Sequence, residues 1–248
     1  MTRRTNWQPA DYRLPLDIAA GEGIRPSFVE AVSERTCRTG FDQPGFCLVD
    51  LGRGTSSERQ RALMVELKQA LAERHQVETG RTLVYQSATR FDQQVTTKLH
   101  RDGGPEECFL MLGYEPTPVA SQVALADSAL CAADLGLTEA ELLERHNPMF
   151  FEGEELLSPY ITRLDDFDHT AFQILLVNNS LARPDGSRPA WKGVLHTAAI
   201  PSPDPAAIRI INSSLIASVP DGSPEPVTEK ELSDFLTTTS VPRRGYAA

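Results

Sequence analysis

Five histidines occur in the 248-residue chain: His75, His100, His146, His169 and His196. Only one of them has a carboxylate two residues later, in Leu99-His100-Arg101-Asp102-Gly103-Gly104. In an extended strand, residues i and i+2 project to the same face. His100 and Asp102 are therefore expected to grip a divalent metal from one side. A distant second histidine would complete a facial set of two imidazoles and one carboxylate, which suits iron(II) and leaves positions open for co-substrate and oxygen. The four cysteines (Cys37, Cys47, Cys108 and Cys131) have no CxxC spacing and lie in or beside apolar runs, so they read as reduced buried thiols rather than a zinc site.

The choice of second histidine rests on its surroundings. His75 lies on an apolar-periodic helix. His146 precedes Asn147-Pro148 at a helix end, where its charge suits the dipole. His169 follows an acidic run, and its downstream arginine, Arg183, sits in the turn-like Ala-Arg-Pro-Asp-Gly-Ser-Arg-Pro. His196 closes the apolar stretch from Trp191, and Arg209 follows 13 residues later at the head of a strong strand pattern. His196 is preferred, with His169 as the rival. A planar guanidinium placed like Arg209 can hold a carboxylate through two charge-assisted hydrogen bonds.

An H-x-D, a distal His and an Arg at this offset resemble the iron(II)/2-oxoglutarate-dependent dioxygenase superfamily, over residues 81–217. The resemblance implies a double-stranded β-helix core of the jelly-roll, cupin-like kind. It implies Fe(II) on His100, Asp102 and His196, with 2-oxoglutarate and O2 as co-substrates. Arg209 would bind the 5-carboxylate of 2-oxoglutarate, with Thr97, Gln86 or Gln173 on neighbouring strands as further contacts. The implied reaction couples decarboxylation of 2-oxoglutarate to hydroxylation of an unactivated C–H bond, with desaturation or ring closure as variants. Relatives that halogenate lack the carboxylate, so Asp102 disfavours that outcome. The alternative is a cupin-like metal-binding barrel without oxidative turnover, an isomerase or binding module, which would have no need of Arg209. His100-Arg101-Asp102 also matches the kinase triplet, but Gly-Gly-Pro follows it and the other kinase motifs are missing.

These residues need a scaffold. Phe46–Leu51 reads as a short buried strand. Ser57-Glu-Arg-Gln60 looks like a capping box, ahead of a helix to about His75 with Leu63, Leu67 and Leu71 on one face. Strand patterns follow at 81–91, 107–114, 121–126, 171–177, 191–196 and 208–216. A helix opens with Leu137-Thr138-Glu-Ala-Glu141, and another begins at Thr228-Glu-Lys-Glu231. The expected organisation is one mainly β domain over 1–248: helical support in 1–80, a core in 81–217 interrupted by a helical insertion at 132–160, and a C-terminal extension from 218 with a loose tail from Val241. The insertion, with Met149, Phe150 and Phe151, is expected to cover the mouth of the active site.

Composition limits the partners. With 24 Lys and Arg against 34 Asp and Glu the chain carries −10, which opposes phosphate backbones and anionic membranes. No apolar window is long enough to cross a bilayer, and the first residues do not read as a secretory signal. The expectation is a cytoplasmic enzyme acting on a small molecule. Asn178-Asn-Ser180 and Asn212-Ser-Ser214 are formal glycosylation sequons that read as polar strand ends.

Overall fold

Alternating apolar residues build two sheets that share one core. The computed structural model describes residues 6–16, 23–150, 154–181 and 188–244; the turn signal Asp185-Gly186, Arg183, Phe151 and Gly153 lie outside them. Among the described residues the strands are β1 (Arg13–Pro15), β2 (Phe46–Gly52), β3 (Arg81–Asp92), β4 (Cys108–Tyr114), β5 (Gln122–Ala126), β6 (Ile161–Arg163), β7 (Phe172–Asn178), β8 (Leu195–Ala199) and β9 (Ile210–Pro220). The helices are α1 (Pro9–Tyr12), α2 (Pro26–Thr36), α3 (Ser57–Thr79), α4 (Ser128–Asp134), α5 (Glu139–His146), α6 (Glu154–Leu157) and α7 (Glu229–Thr237). The large sheet runs β1-β2-β7-β4-β9-β3 and the small one β6-β5-β8. With 31% helix and 28% strand among the described residues, the fold is mixed α/β, which supports the mainly β expectation only roughly.

Period-two alternation gives the large sheet two apolar faces. Cys47, Val49, Phe109, Met111, Ile174, Leu176 and Ile216 point to a helical layer that includes Phe28, Val29 and Val32 of α2 and Phe235 of α7. Phe46, Leu48, Leu110, Leu112, Leu175, Val177 and Ile211 point the other way, onto Val123 and Leu125 of the small sheet. Helix α3 is the anchor of the first layer. Ser56 caps it by accepting from the Arg59 N–H, one residue before the expected cap, and Gly80 ends it at φ 67°. The helix thus runs a turn beyond His75. Its buried Leu63, Leu67 and Leu71 each contribute on the order of 2 kcal/mol by leaving water. The helix sits so close to β4 that a Cβ on Gly113 would lie 2.7 Å from Met64 Sδ.

Several boundaries move. The strand expected over 191–196 is instead β8, with His196 as its second residue rather than its end. Arg209 lies just ahead of β9. The expected loose tail is held at its start: Arg243 bridges Asp92 in parallel, and the Arg244 N–H donates to the Asp92 carbonyl at 2.8 Å. Helices α5 and α7 begin at Thr138 and Thr228 with the expected capping boxes. Cys47, Cys108 and Cys131 are buried, Cys37 is half-buried, and all four are free thiols. No helix among the described residues is long and apolar enough to cross a membrane.

Candidate metal centre and its cavity

His196 points to the inner side of the small sheet because its strand neighbours fix the alternation. Leu195 packs outward with α4, α5 and α6, so His196 must face inward. His100 joins it through a ladder: His100 N–H donates to the His196 carbonyl and His196 N–H to the His100 carbonyl, both at 3.0 Å. Such a reciprocal antiparallel pair places the two side chains side by side, and the ring centroids lie 4.2 Å apart. Beyond this single bridge the H-x-D segment is irregular rather than a strand, which corrects the expected i, i+2 geometry. Asp102 is brought round by a clamp instead. Asn179, just past β7, accepts from the Asp102 N–H and donates to the Asp102 carbonyl, each at 3.0 Å. Arg101 Nε donates to the Asn179 carbonyl at 2.7 Å and ties the same loop down.

One ligand atom from each of His100, Asp102 and His196 lies within 4.8 Å of the others. Nδ1 of His100 lies 2.8 Å from the Lys98 carbonyl. A carbonyl only accepts, so Nδ1 carries the proton and Nε2 faces Asp102, at 3.4 Å from Oδ1. Two acceptors in that position need a cation or proton between them. The electrostatics match. Burial would lower His100, yet the Asp102 hydrogen bond and the Lys98 carbonyl raise it above the usual histidine range. Burial would raise Asp102, but the hydrogen bond from His100 and the charges of His196, His100 and Arg244 bring it below the usual carboxylate range. Burial, with His100 beside it, pushes His196 down to about 4, and its Nδ1 is buried without a hydrogen-bond partner. A neutral imidazole and a carboxylate, held together, are ready-made ligands. The two-His, one-carboxylate set fits iron(II).

The same cavity, of about 300 Å³, is lined by all three residues and by Arg209, Thr97 and Tyr114. Arg209 is 2% exposed. Its Nε donates to Ser121 Oγ at 2.7 Å and its Nη1 to the Gln93 carbonyl at 2.9 Å, while Nη2 is buried without a hydrogen-bond partner. Its Cζ lies 5.3 Å from the Tyr114 ring centroid, and burial raises the Tyr114 phenol against the pull of Arg209. Thr97 lines the cavity, with its Oγ1 accepting from the Ala198 N–H at 3.1 Å. Gln86 does not line it; it falls where the β3–β9 register slips between Tyr85 and Ser87. Gln173 does not line it either, and its side chain accepts from the Asp168 N–H.

The other histidines go elsewhere. His75 Nε2 meets Ser218 Oγ at 2.9 Å, His146 ends α5, and the carbonyl of His169 accepts from the Thr117 N–H. The insertion over 132–160 also departs from expectation. Its Ala132, Leu142 and Leu157 pack with Ala126 and Leu195, on the face of the small sheet opposite His196. None of its described residues lines the cavity. Phe150 is 77% exposed. Asn178, Asn179, Ser180 and Asn212 are fully buried, which rules out their use as glycosylation acceptors in the folded chain.

The residues missed from sequence are Asn179, Tyr114 and Arg244. Tyr114 alone had a signal, as the last aromatic on a strand whose alternation points it inward with Leu112. Compared with known proteins, the chain matches no family and no curated protein.

Proposed function

We propose that this chain is an iron(II)/2-oxoglutarate-dependent oxygenase of a small molecule, built on a double-stranded β-helix core. The observation that carries the reading is one cavity holding both a two-His, one-carboxylate set and a buried arginine with an unused N–H. His100, Asp102 and His196 would hold the metal. Arg209 would take the 5-carboxylate of 2-oxoglutarate through Nη2, its other nitrogens already being fixed by Ser121 and Gln93. Tyr114 and Thr97 border that place. Iron(II), when bound, supplies O2 activation coupled to conversion of 2-oxoglutarate into succinate and CO2, with oxidation of a substrate C–H bond. Phe91, Leu112 and Ile211 contribute apolar wall beside these polar groups, where the hydrocarbon part of a substrate could pack. The small cavity volume suits a small molecule, and the reduced thiols suit a cytoplasmic setting.

Succinate release tests the reading. Purified chain with Fe(II), ascorbate, O2 and 2-oxoglutarate should form succinate at a rate abolished by Asp102→Ala. Metal binding to His100, Asp102 and His196 without any 2-oxoglutarate binding would select the metal-binding barrel instead.

A further inference from the structure

A second arginine stands in this cavity, and the metal and 2-oxoglutarate do not account for it. After α7 the chain turns back along the end of β3. Asp92 is 2% exposed; its N–H donates to the Pro242 carbonyl at 3.0 Å and its Oδ2 accepts from Arg243 Nε at 2.8 Å. Arg243 Nη2 also reaches the Ala207 carbonyl, at 3.2 Å. These bonds deliver the next residue, Arg244, to the rim of the cavity that holds His100, Asp102 and His196. The Arg244 guanidinium lies over Phe91, with Cζ 3.7 Å from the ring centroid, so its plane is fixed by stacking. Its guanidinium makes no ion pair or hydrogen bond with any described residue, and Asp102 feels its charge only at longer range. The chain around it uses Asp92 to neutralise Arg243, not Arg244.

We propose that Arg244 binds a carboxylate of the primary substrate, a class assignment that rests on reading this cavity as an oxygenase site. Arg209 is buried and linked to Ser121 and Gln93, at the end of the cavity suited to the co-substrate. Arg244 is exposed at the rim, where an entering substrate can meet it. Phe91, under the Arg244 guanidinium, lines the same cavity with Leu112 and Ile211 and gives it an apolar portion. The substrate is therefore a carboxylate attached to an apolar body, held by the acid end at the rim with its C–H bonds toward the metal.

The test uses Mn(II) in place of iron, excess 2-oxoglutarate and no oxygen. Phenylacetate and its neutral counterpart phenylacetamide are titrated calorimetrically into the full chain and into the Arg244→Ala, Arg244→Lys and Arg209→Ala variants. Phenylacetate should bind about tenfold more tightly than the amide, a difference of 1.4 kcal/mol. Arg244→Ala should level the two without changing 2-oxoglutarate affinity, Arg244→Lys should retain part of the preference, and Arg209→Ala should weaken 2-oxoglutarate instead. Equal binding of acid and amide, or a preference that survives Arg244→Ala, overturns the proposal. Loss of 2-oxoglutarate in Arg244→Ala also overturns it, making Arg244 a co-substrate residue and leaving the oxygenase reading intact. If neither Mn(II) nor 2-oxoglutarate binds, the oxygenase reading fails by itself. An Arg244-dependent preference in the metal-free chain then supports the anion site, and its absence overturns it.

Discussion

Replacing Arg209 with alanine probes the co-substrate site most directly. The guanidinium is 2% exposed and held at Nε and Nη1, so little side-chain freedom remains to be lost when a carboxylate arrives at Nη2. A buried carboxylate stripped of its charged partner loses about 2–5 kcal/mol, or about 30- to several thousand-fold in affinity. The substitution also leaves Ser121 Oγ and the Gln93 carbonyl without their donor, at a cost of about 1–3 kcal/mol to the fold for each group left buried and unpaired. The melting temperature should therefore fall while Mn(II) affinity at His100, Asp102 and His196 holds. Calorimetric titration of 2-oxoglutarate into the Mn(II)-loaded variant reads the first effect, and the metal titration reads the second. Arg209→Lys should recover charge but not the forked geometry, giving an intermediate affinity. A change in 2-oxoglutarate affinity of less than about threefold, with metal binding intact, would refute the assignment and send the search to Arg90. That residue is bound to Glu115 at 3.0 Å, as Arg188 is to Glu107.

Other outcomes follow from the same geometry. Asn179→Ala removes both clamps on Asp102 and should weaken metal binding about 10- to 100-fold while leaving 2-oxoglutarate contacts at Arg209 in place; unchanged metal affinity would show that Asp102 is positioned without it. Burial, against the attraction of Glu107, lowers His75 to about 4. The unfolded chain therefore binds more protons than the folded one between about pH 6.5 and 4, so this contribution is complete above pH 6.5 and is lost as pH falls toward 4. It amounts to on the order of 2 kcal/mol after allowance for residual solvent around the ring; His75→Gln, which can still reach Ser218, should flatten urea-derived stability over that window. Residues 132–150 should show the same hydrogen-exchange protection with and without Mn(II), 2-oxoglutarate and phenylacetate, and new protection on binding would restore the lid expectation.

The parts of this protein legible in one dimension are those decided by neighbours in the chain. The H-x-D sequence and its distance from His196 and Arg209 name the candidate ligands, because donor type is a property of each residue alone. Capping residues Thr138 and Thr228 locate their helices, since a cap acts within one turn. Period-two runs locate the strands, though not their ends: β8 starts at Leu195 and β9 after Arg209, where pairing partners rather than local propensity set the limits. What brings the ligands together is long-range. The ladder between His100 and His196 joins residues 96 positions apart, and Asn179 reaches Asp102 from the end of another strand. The side of the small sheet that carries the insertion was settled by one alternation: Leu195 and His196 are adjacent, so the apolar helices take one face and the ligands the other. Gln86 fell outside the cavity because the register slips beside it, which no single strand pattern reveals. Arg244 reached the site only because Asp92 and Arg243 turn the chain back, a charge pairing between residues far apart in sequence that ties the exposed Arg243 to the buried carboxylate at the end of β3.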